Sequence, residues 1–318
     1  MAVCVLSAVL EADTAPPFFG TVWISPDIIT SADRSGLTGV TYTGRGERTL
    51  WDNRVLDLIT VEAYLFEARI HGRGVEFQVN PEFGSENAAR IEVDTYAPAI
   101  GRMPFGMLAR LENVHVNAGN PDHPDAASFG RQGRRDPQVF GGSYEGRSII
   151  LHTGYGQERI RDGFLEEVLF HEAAHVGFQN HQNAPGWRAA RDADEGFISN
   201  YARDNPDRED VAETMLVYFA IRYRPDRLSA SQRVAIRETV PNRVEYFDGL
   251  ALDWSPYIGR QGSLADGVKD LVDEGLDALN DDSNGRQAAE SVPAMPAAGV
   301  LLLAILLGLL GQRRIRAG

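Results

Sequence analysis

Two histidines and a glutamate within five residues form the pattern in this sequence that most directly supports chemistry. The segment reads His171-Glu172-Ala-Ala-His175, in a run whose apolar residues recur at helical spacing. In a helix, side chains four residues apart lie on one face, about 6 Å apart, so His171 and His175 can bind one tetrahedral metal ion. Glu172 projects to the neighbouring side, where its carboxylate can reach a metal-bound water without ligating the metal. The pattern predicts a zinc site with Glu172 as general base.

A catalytic zinc ion takes a third protein ligand and keeps its fourth position for water. Asn205 and Pro206 are residue types that begin helices, so a helix is predicted from this point. Glu209 and Glu213 then share one face of that helix, four residues apart. One carboxylate can bind the metal while the other accepts the spare N–H of a ligand histidine. We expect Glu209 to be the ligand and Glu213 to support it, and the reverse assignment stays open.

His181 competes as third ligand because it follows His175 by six residues, the spacing of the metzincin motif. That motif requires a glycine at the position that Phe178 occupies, and Gly177 comes one residue early. Met215 falls within a predicted helix, so it does not provide the methionine turn that accompanies metzincin sites. His181 therefore stays open as an alternative.

From His171 to Glu213 the sequence resembles the catalytic domain of anthrax lethal factor and its relatives. The similar parts are His171-Glu-Ala-Ala-His175 and Tyr201-Ala-Arg-Asp-Asn-Pro-Asp-Arg-Glu209-Asp-Val-Ala-Glu213. The resemblance implies a zincin fold of the gluzincin type, peptidase activity, Glu209 as third zinc ligand and Glu213 as a supporting residue. It also implies that Tyr201 stabilises the oxyanion, although one extra residue separates Tyr201 from Glu209 here. Residues 16–160 are not explained by it.

The main body, predicted to span residues 16–262, has a pattern of strands first and helices later, which is typical of an α+β fold. Strands are predicted at 22–24, 55–70, 75–79, 114–116 and 148–152, and helices at 86–100, 162–177, 206–223 and 229–240. The Gly-rich segment 43–47 is predicted to be a tight turn, and residues 118–147 a long surface excursion. The expected architecture is zincin-like, with a mixed β-sheet, an active-site helix and a helical C-terminal half.

Composition excludes several classes of function. The chain has 318 residues, with 31 Lys and Arg against 45 Asp and Glu, which gives a net charge of −14. A surface this acidic repels phosphate backbones, so nucleic acid is not expected as a partner. The only cysteine is Cys4, and this excludes a disulfide scaffold, a cysteine-ligated zinc and a thiol nucleophile.

The N-terminal end differs from this body. Residues 1–15 are apolar and then rich in small residues, and we interpret them as a secretory signal peptide or its remnant. The segment lacks the basic residues that begin such a signal, so a buried first strand is the alternative interpretation.

The C-terminal end has three elements after a predicted tail helix at 263–279. Residues 280–296 are a polar linker that ends in Val292-Pro-Ala-Met-Pro296, residues 297–311 carry no charge, and Arg313, Arg314 and Arg316 follow. A helix over 297–311 would be about 23 Å long, short of the roughly 30 Å hydrocarbon core. The order of elements in 280–318 resembles the PEP-CTERM/VPLPA-type sorting signals of Gram-negative bacteria. The resemblance implies an exosortase-type enzyme as partner; a single-pass tail anchor is the alternative.

These observations predict an exported zinc metallopeptidase that acts on a peptide or protein. The terminal arginines should stay cytoplasmic, which places the body outside, in the cell envelope or the medium, with the helix at 297–318 in the inner membrane before processing. Two alternatives stay open: a secreted zinc-containing binding or envelope module without turnover, and a zinc hydrolase of a non-peptide amide. His152, at the end of a predicted strand, is expected to be structural.

Overall fold

The computed structural model describes residues 15–120 and 147–257, and within these ranges the chain has the predicted α+β fold. Five strands form one mixed sheet in the order β1-β2-β3-β4-β5. The strands are β1 (Leu37–Asp52), β2 (Asp57–Ile70), β3 (Arg73–Val79), β4 (Asn113–Asn117) and β5 (Ser148–His152). Nine α-helices lie in the described ranges: α1 (Glu86–Ile100), α2 (Phe105–Leu108), α3 (Thr153–Asp162), α4 (Leu165–Phe178), α5 (Pro185–Ala193), α6 (Asn200–Asp204), α7 (Asp210–Tyr223), α8 (Ala230–Thr239) and α9 (Pro241–Asp248).

The first three strands form an antiparallel meander, and β4 and β5 add to it in parallel. The segment 43–47 lies inside β1, so the prediction of a tight turn there was wrong. Its glycines instead accommodate a bulge between Tyr42 and Gly44, where Gly44 has a φ of 118° that a glycine adopts without strain. The real turn lies between Asp52 and Asp57.

The two faces of the sheet are covered by different elements. Alternate residues such as Phe77, Val114 and Leu151 belong to the main hydrophobic core, which the helices complete. On the opposite face, the end of β1 bonds to two buried histidines. The N–H of Trp51 donates to Nδ1 of His115 (3.0 Å), and the N–H of Asn53 donates to Nε2 of His152 (3.2 Å). His152 is therefore structural, as expected.

Three local predictions differ from the structure, one in the type of element and two in where a helix begins. Residues Thr21–Trp23 form a short 3₁₀ helix and not a strand. The helix predicted at 162–177 corresponds to α4 and begins at Leu165, because Gly163 adopts a left-handed conformation (φ 80°) that ends the separate helix α3 at Asp162. The helix predicted from Pro206 begins at Asp210, and Asn205 does not cap it.

Helix α4 lies at the centre of the helical half and is buried on every side. The apolar residues of this helix that recur at helical spacing are all buried: Leu165, Val168, Leu169 and Val176. Phe170 packs against Phe219 of α7, with ring centroids 4.9 Å apart. The packing of α4 against α7 is what brings their polar side chains together.

A buried arginine fixes the beginning of α7. Arg243 of α9 is fully buried and pairs with Asp194 (2.8 Å) and Asp210 (2.5 Å). It also donates to the carbonyl oxygen of Gly196. Since a buried charge is tolerated only with good partners, these contacts tie the N-terminus of α7 to the segment before α6.

Several predicted segments lie outside the described residues. These are the signal peptide except Ala15, most of the excursion at 118–147, the tail helix at 263–279, the linker and sorting motif at 280–296, and the hydrophobic helix at 297–318. Among the helices that the structure describes, none is both long and apolar enough to cross a membrane.

Candidate metal centre

Three buried side chains from two helical segments meet at one point. His171 and His175 project from the same face of α4, and Glu209 comes from the turn just before α7. The Nε2 atoms of the histidines are 3.2 Å apart, and Oε2 of Glu209 lies 3.2 Å from that of His171 and 3.0 Å from that of His175. Within the described part of the chain, this is the group of side chains that could hold a metal ion.

The dimensions of this triangle fit a small tetrahedral ion. Ligand atoms at the corners of a tetrahedron are separated by about 1.6 times the bond length, so zinc bonds of about 2.0–2.1 Å place them about 3.3 Å apart. The observed separations are 3.0–3.2 Å. Calcium requires longer bonds and six to eight oxygen ligands, which the histidine pair does not supply.

Neighbouring groups fix the orientation of Glu209. The Nε–H of Arg208 donates to Oε1 over 2.7 Å, so that only Oε2 faces the histidines. Burial by itself would raise the pKa of the Glu209 carboxyl, but the hydrogen bonds with His171 and His175 outweigh it and hold the pKa far below its ordinary value. The carboxylate is therefore ionised, as a metal ligand must be.

Glu213 lies on the other side of the His171 ring. Its Oε1 is 3.2 Å from Nδ1 of His171, so it contacts the nitrogen that faces away from the candidate metal position. Its Oε2 accepts hydrogen bonds from the main-chain N–H of Thr21 (2.8 Å) and from the hydroxyl of Ser199 (2.6 Å). The group of side chains that could hold a metal ion includes Glu209 and not Glu213.

The negative charge of this cluster acts directly on His171. Burial would lower the pKa of the imidazole, but its contacts with Glu209 and Glu213 raise the pKa well above the ordinary value. Carboxylates that stabilise a proton on this ring also stabilise a divalent cation among the ligand atoms, because the proton and the cation each bring positive charge close to the carboxylates.

His181, the alternative third ligand, lies away from the cluster. Helix α4 ends at Phe178, and the following 3₁₀ turn, Gln179–Asn183, carries His181 to another partner. Its Nδ1 is 2.6 Å from the hydroxyl of Tyr246. The arrangement therefore favours Glu209 over His181.

Glu172 is next to the ligand cluster and has no partner for one of its oxygens. The residue is buried, and Oε2 makes no hydrogen bond. Burial raises the pKa of its carboxyl well above the ordinary value, with the Glu209 carboxylate acting in the same direction and His171 opposing it. A carboxyl group whose pKa is raised holds a proton more readily, as a group that both accepts and delivers a proton must.

Tyr201 lies at the exposed edge of the cluster. It belongs to α6, its side chain is partly exposed, and its ring centroid is 6.3 Å from that of His171. Partial burial and the nearby Glu209 carboxylate raise the pKa of the phenol above its ordinary value. Tyr201 therefore keeps its O–H and can act as a hydrogen-bond donor.

Three residues near the cluster were missed in the sequence. Arg208 adjoins the expected ligand, and Ser199 is a helix-capping residue type two positions before Tyr201, so both had a weak local signal. Thr21 had none, because it lies 192 positions from Glu213 in the chain.

No protein-family model matches this chain, and comparisons with curated proteins and with solved structures give no match either.

Proposed function

We propose that this chain is an exported zinc metallopeptidase of the zincin type. The observation that carries the proposal is the buried carboxyl group of Glu172, whose Oε2 has no hydrogen-bond partner, beside three candidate ligand atoms 3.0–3.2 Å apart. A metal site that only stabilises a fold does not need the Glu172 carboxyl. Burial of a carboxyl oxygen without a hydrogen-bond partner opposes folding. Hydrolysis, in contrast, requires a base at this position.

Zinc is the proposed ion because of the donor set. Two imidazole nitrogens and one carboxylate oxygen are the protein ligands of several catalytic zinc sites, which leave one position open. Magnesium, calcium and manganese favour oxygen-rich sites, and the cluster has no thiolate that would favour copper(I) or iron–sulfur centres. The separation of the three ligand atoms also suits the bond lengths of zinc.

The reaction uses two residues beside the ligands. When bound, zinc lowers the pKa of water toward neutrality and polarises a carbonyl group. Glu172 accepts the proton of the attacking water and later delivers it to the leaving amine. Tyr201 donates its O–H to the carbonyl oxygen as negative charge develops there. Glu213 holds the orientation of His171 from the opposite side of the ring.

The proposal is tested with the purified full chain. We expect close to one zinc per chain by elemental analysis and hydrolysis of a mixed peptide library that a chelator abolishes and added zinc restores. Glu172→Gln should keep the zinc yet lower turnover by about 10²–10⁴-fold, because it removes a proton acceptor and not a ligand. Zinc at full occupancy in His171→Ala, or equal turnover in wild type and Glu172→Gln, would contradict the proposal.

The same apparatus could act on an amide that is not a peptide bond between standard residues. A water molecule deprotonated by Glu172 would attack any accessible amide carbonyl, so the substrate class depends on the surroundings of the site. The library should therefore include cross-linked cell-wall peptides. Their hydrolysis in place of linear peptides would assign the non-peptide alternative, and zinc binding without any turnover would assign the binding module.

A further inference from the structure

A short N-terminal segment, Phe18–Thr21, touches both sides of the candidate site. Phe18 pairs with Ser199 in a parallel bridge, and its carbonyl oxygen accepts from the N–H of Asn200 (2.9 Å). The carbonyl oxygen of Phe19 accepts from the N–H of Tyr201 (3.2 Å). The main chain of Tyr201, the proposed oxyanion donor, is therefore held by a segment far from it in sequence.

The same segment also holds Glu213. The N–H of Thr21 and the hydroxyl of Ser199 both donate to Oε2 of Glu213, over 2.8 and 2.6 Å, and both donor residues are fully buried. With two donors on Oε2, the carboxylate has one orientation, in which Oε1 lies 3.2 Å from Nδ1 of His171. A carboxylate at Nδ1 favours the proton on that nitrogen and leaves the lone pair of Nε2 for a metal ion.

We propose that the main-chain N–H of Thr21 is a positioning group of the metal site, and that segment Phe18–Thr21 sets the orientation of His171 and Tyr201 together. The inference rests on the metal site of the proposed function. Thr21 lies outside helix α4, which carries His171 and His175, and outside the segment 201–213 that carries the other proposed site residues. Ser199 has two roles. Its hydroxyl donates to Glu213, and its hydroxyl oxygen accepts from the N–H of Ala202 and so caps α6.

The N–H of Thr21 can be removed with little change in backbone conformation. Thr21 is the first residue of a 3₁₀ helix, and Gly20 before it is extended (φ −156°, ψ 142°). Proline is favoured at the first position of a helix, and the residue before a proline favours extended conformations. Thr21→Pro therefore deletes the donor to Glu213, whereas Thr21→Ala removes only the side chain and keeps the N–H.

The experiment measures zinc affinity by competition with a chromophoric chelator in the full chain. We expect Thr21→Pro to bind zinc about 10–100-fold more weakly than Thr21→Ala, the range for loss of a group that orients a ligand. Ala230→Pro, which places proline at the first position of the remote helix α8 after Ser229, is the control for proline itself. Equal affinities of Thr21→Pro and Thr21→Ala would overturn the inference.

A double-mutant cycle separates positioning from general destabilisation. In a Glu213→Ala background the N–H of Thr21 has no carboxylate to orient, so Thr21→Pro should cost no further affinity. An undiminished further loss in that background would contradict the inference. If Thr21→Pro does not fold, Ser199→Ala takes its place in the cycle, and Ser199→Thr, which keeps the hydroxyl, should restore affinity.

The two proposals fail in different ways. Because zinc affinity is measured without a substrate, absence of peptidase activity overturns the proposed function and leaves this inference standing. Absence of zinc binding in the wild-type chain overturns both. Normal zinc binding and turnover in wild type, with equal affinities in Thr21→Pro and Thr21→Ala, overturns this inference alone.

Discussion

The Nε–H of Arg208 donates to Oε1 of Glu209 over 2.7 Å, so the carboxylate faces the two histidines with one oxygen only. A carboxylate can bind a metal through one or both oxygens, and the second mode needs Oε1 to turn toward the ion. The hydrogen bond from Arg208 opposes that rotation. Arg208 therefore favours a site with three protein donor atoms, which leaves room for water.

We expect Arg208→Met to let Glu209 bind through both oxygens and raise the coordination number. The measurement is the visible absorption of the cobalt(II)-substituted protein, which weakens as coordination rises from four to five. Arg208→Lys, which keeps a donor at the same residue, should resemble wild type more closely. Identical cobalt spectra in wild type and Arg208→Met would show that Arg208 does not control the binding mode.

Apart from substitutions of His171 and His175, substitution of Glu209, the proposed third ligand, should weaken metal binding most. Glu209→Ala removes both a bond and a negative charge, so zinc affinity should collapse. Glu213→Ala should cost about 10–100-fold, as for other groups that orient a ligand. His181→Ala should leave zinc bound, because His181 contacts Tyr246. Loss of zinc in His181→Ala with retention in Glu209→Ala would reverse the assignment.

The proposed export depends on segments outside the described residues. Deletion of 292–318 removes the sorting motif, the uncharged segment and the terminal arginines, and it should release active protein into the medium. Fractionation of cells with an antibody to the main body measures this. Retention of the truncated protein in the cytoplasm would contradict export, and retention in the membrane would locate the anchor elsewhere.

Glu167 should make stability fall as the pH rises. This residue of α4 is fully buried; its Oε1 accepts from the N–H of Ile29 (3.0 Å), and its Oε2 has no partner. Burial raises its pKa to about 8 from an ordinary 4.5. Between pH 4.5 and about 8, the Glu167 carboxyl therefore keeps its proton in the folded state and has lost it in the unfolded state. The contribution of Glu167 is complete below pH 4.5 and is lost as the pH rises to about 8.

The test is urea unfolding of wild type and Glu167→Gln across this pH range. As the pH rises, wild type should lose unfolding free energy relative to Glu167→Gln by up to about 1.4 kcal/mol per pH unit, because the glutamine side chain does not ionise. A difference that is constant from pH 4.5 to 8 would mean that Glu167 titrates normally in the folded chain.

Local patterns predicted the parts of the site that lie on one helix. His171 and His175 are four residues apart, and helical geometry alone brings them to one face. The sequence also singled out Glu209 and Glu213, since their four-residue separation matches a ligand and a supporting group. The start of α7 was predicted wrongly: the helix begins at Asp210 and not at Pro206, and Asp210 pairs with Arg243, which is distant in sequence.

Residue types and short helical spacings were therefore enough to predict the candidate ligands His171, His175 and Glu209. The distant residues that contact this cluster could be identified only from the folded chain. The N–H of Thr21 contacts Glu213 across 192 positions, and the hairpin of β1 and β2 lies over His115 and His152. Such contacts result from the packing of whole elements, which neither the periodicity nor the composition of any one segment specifies.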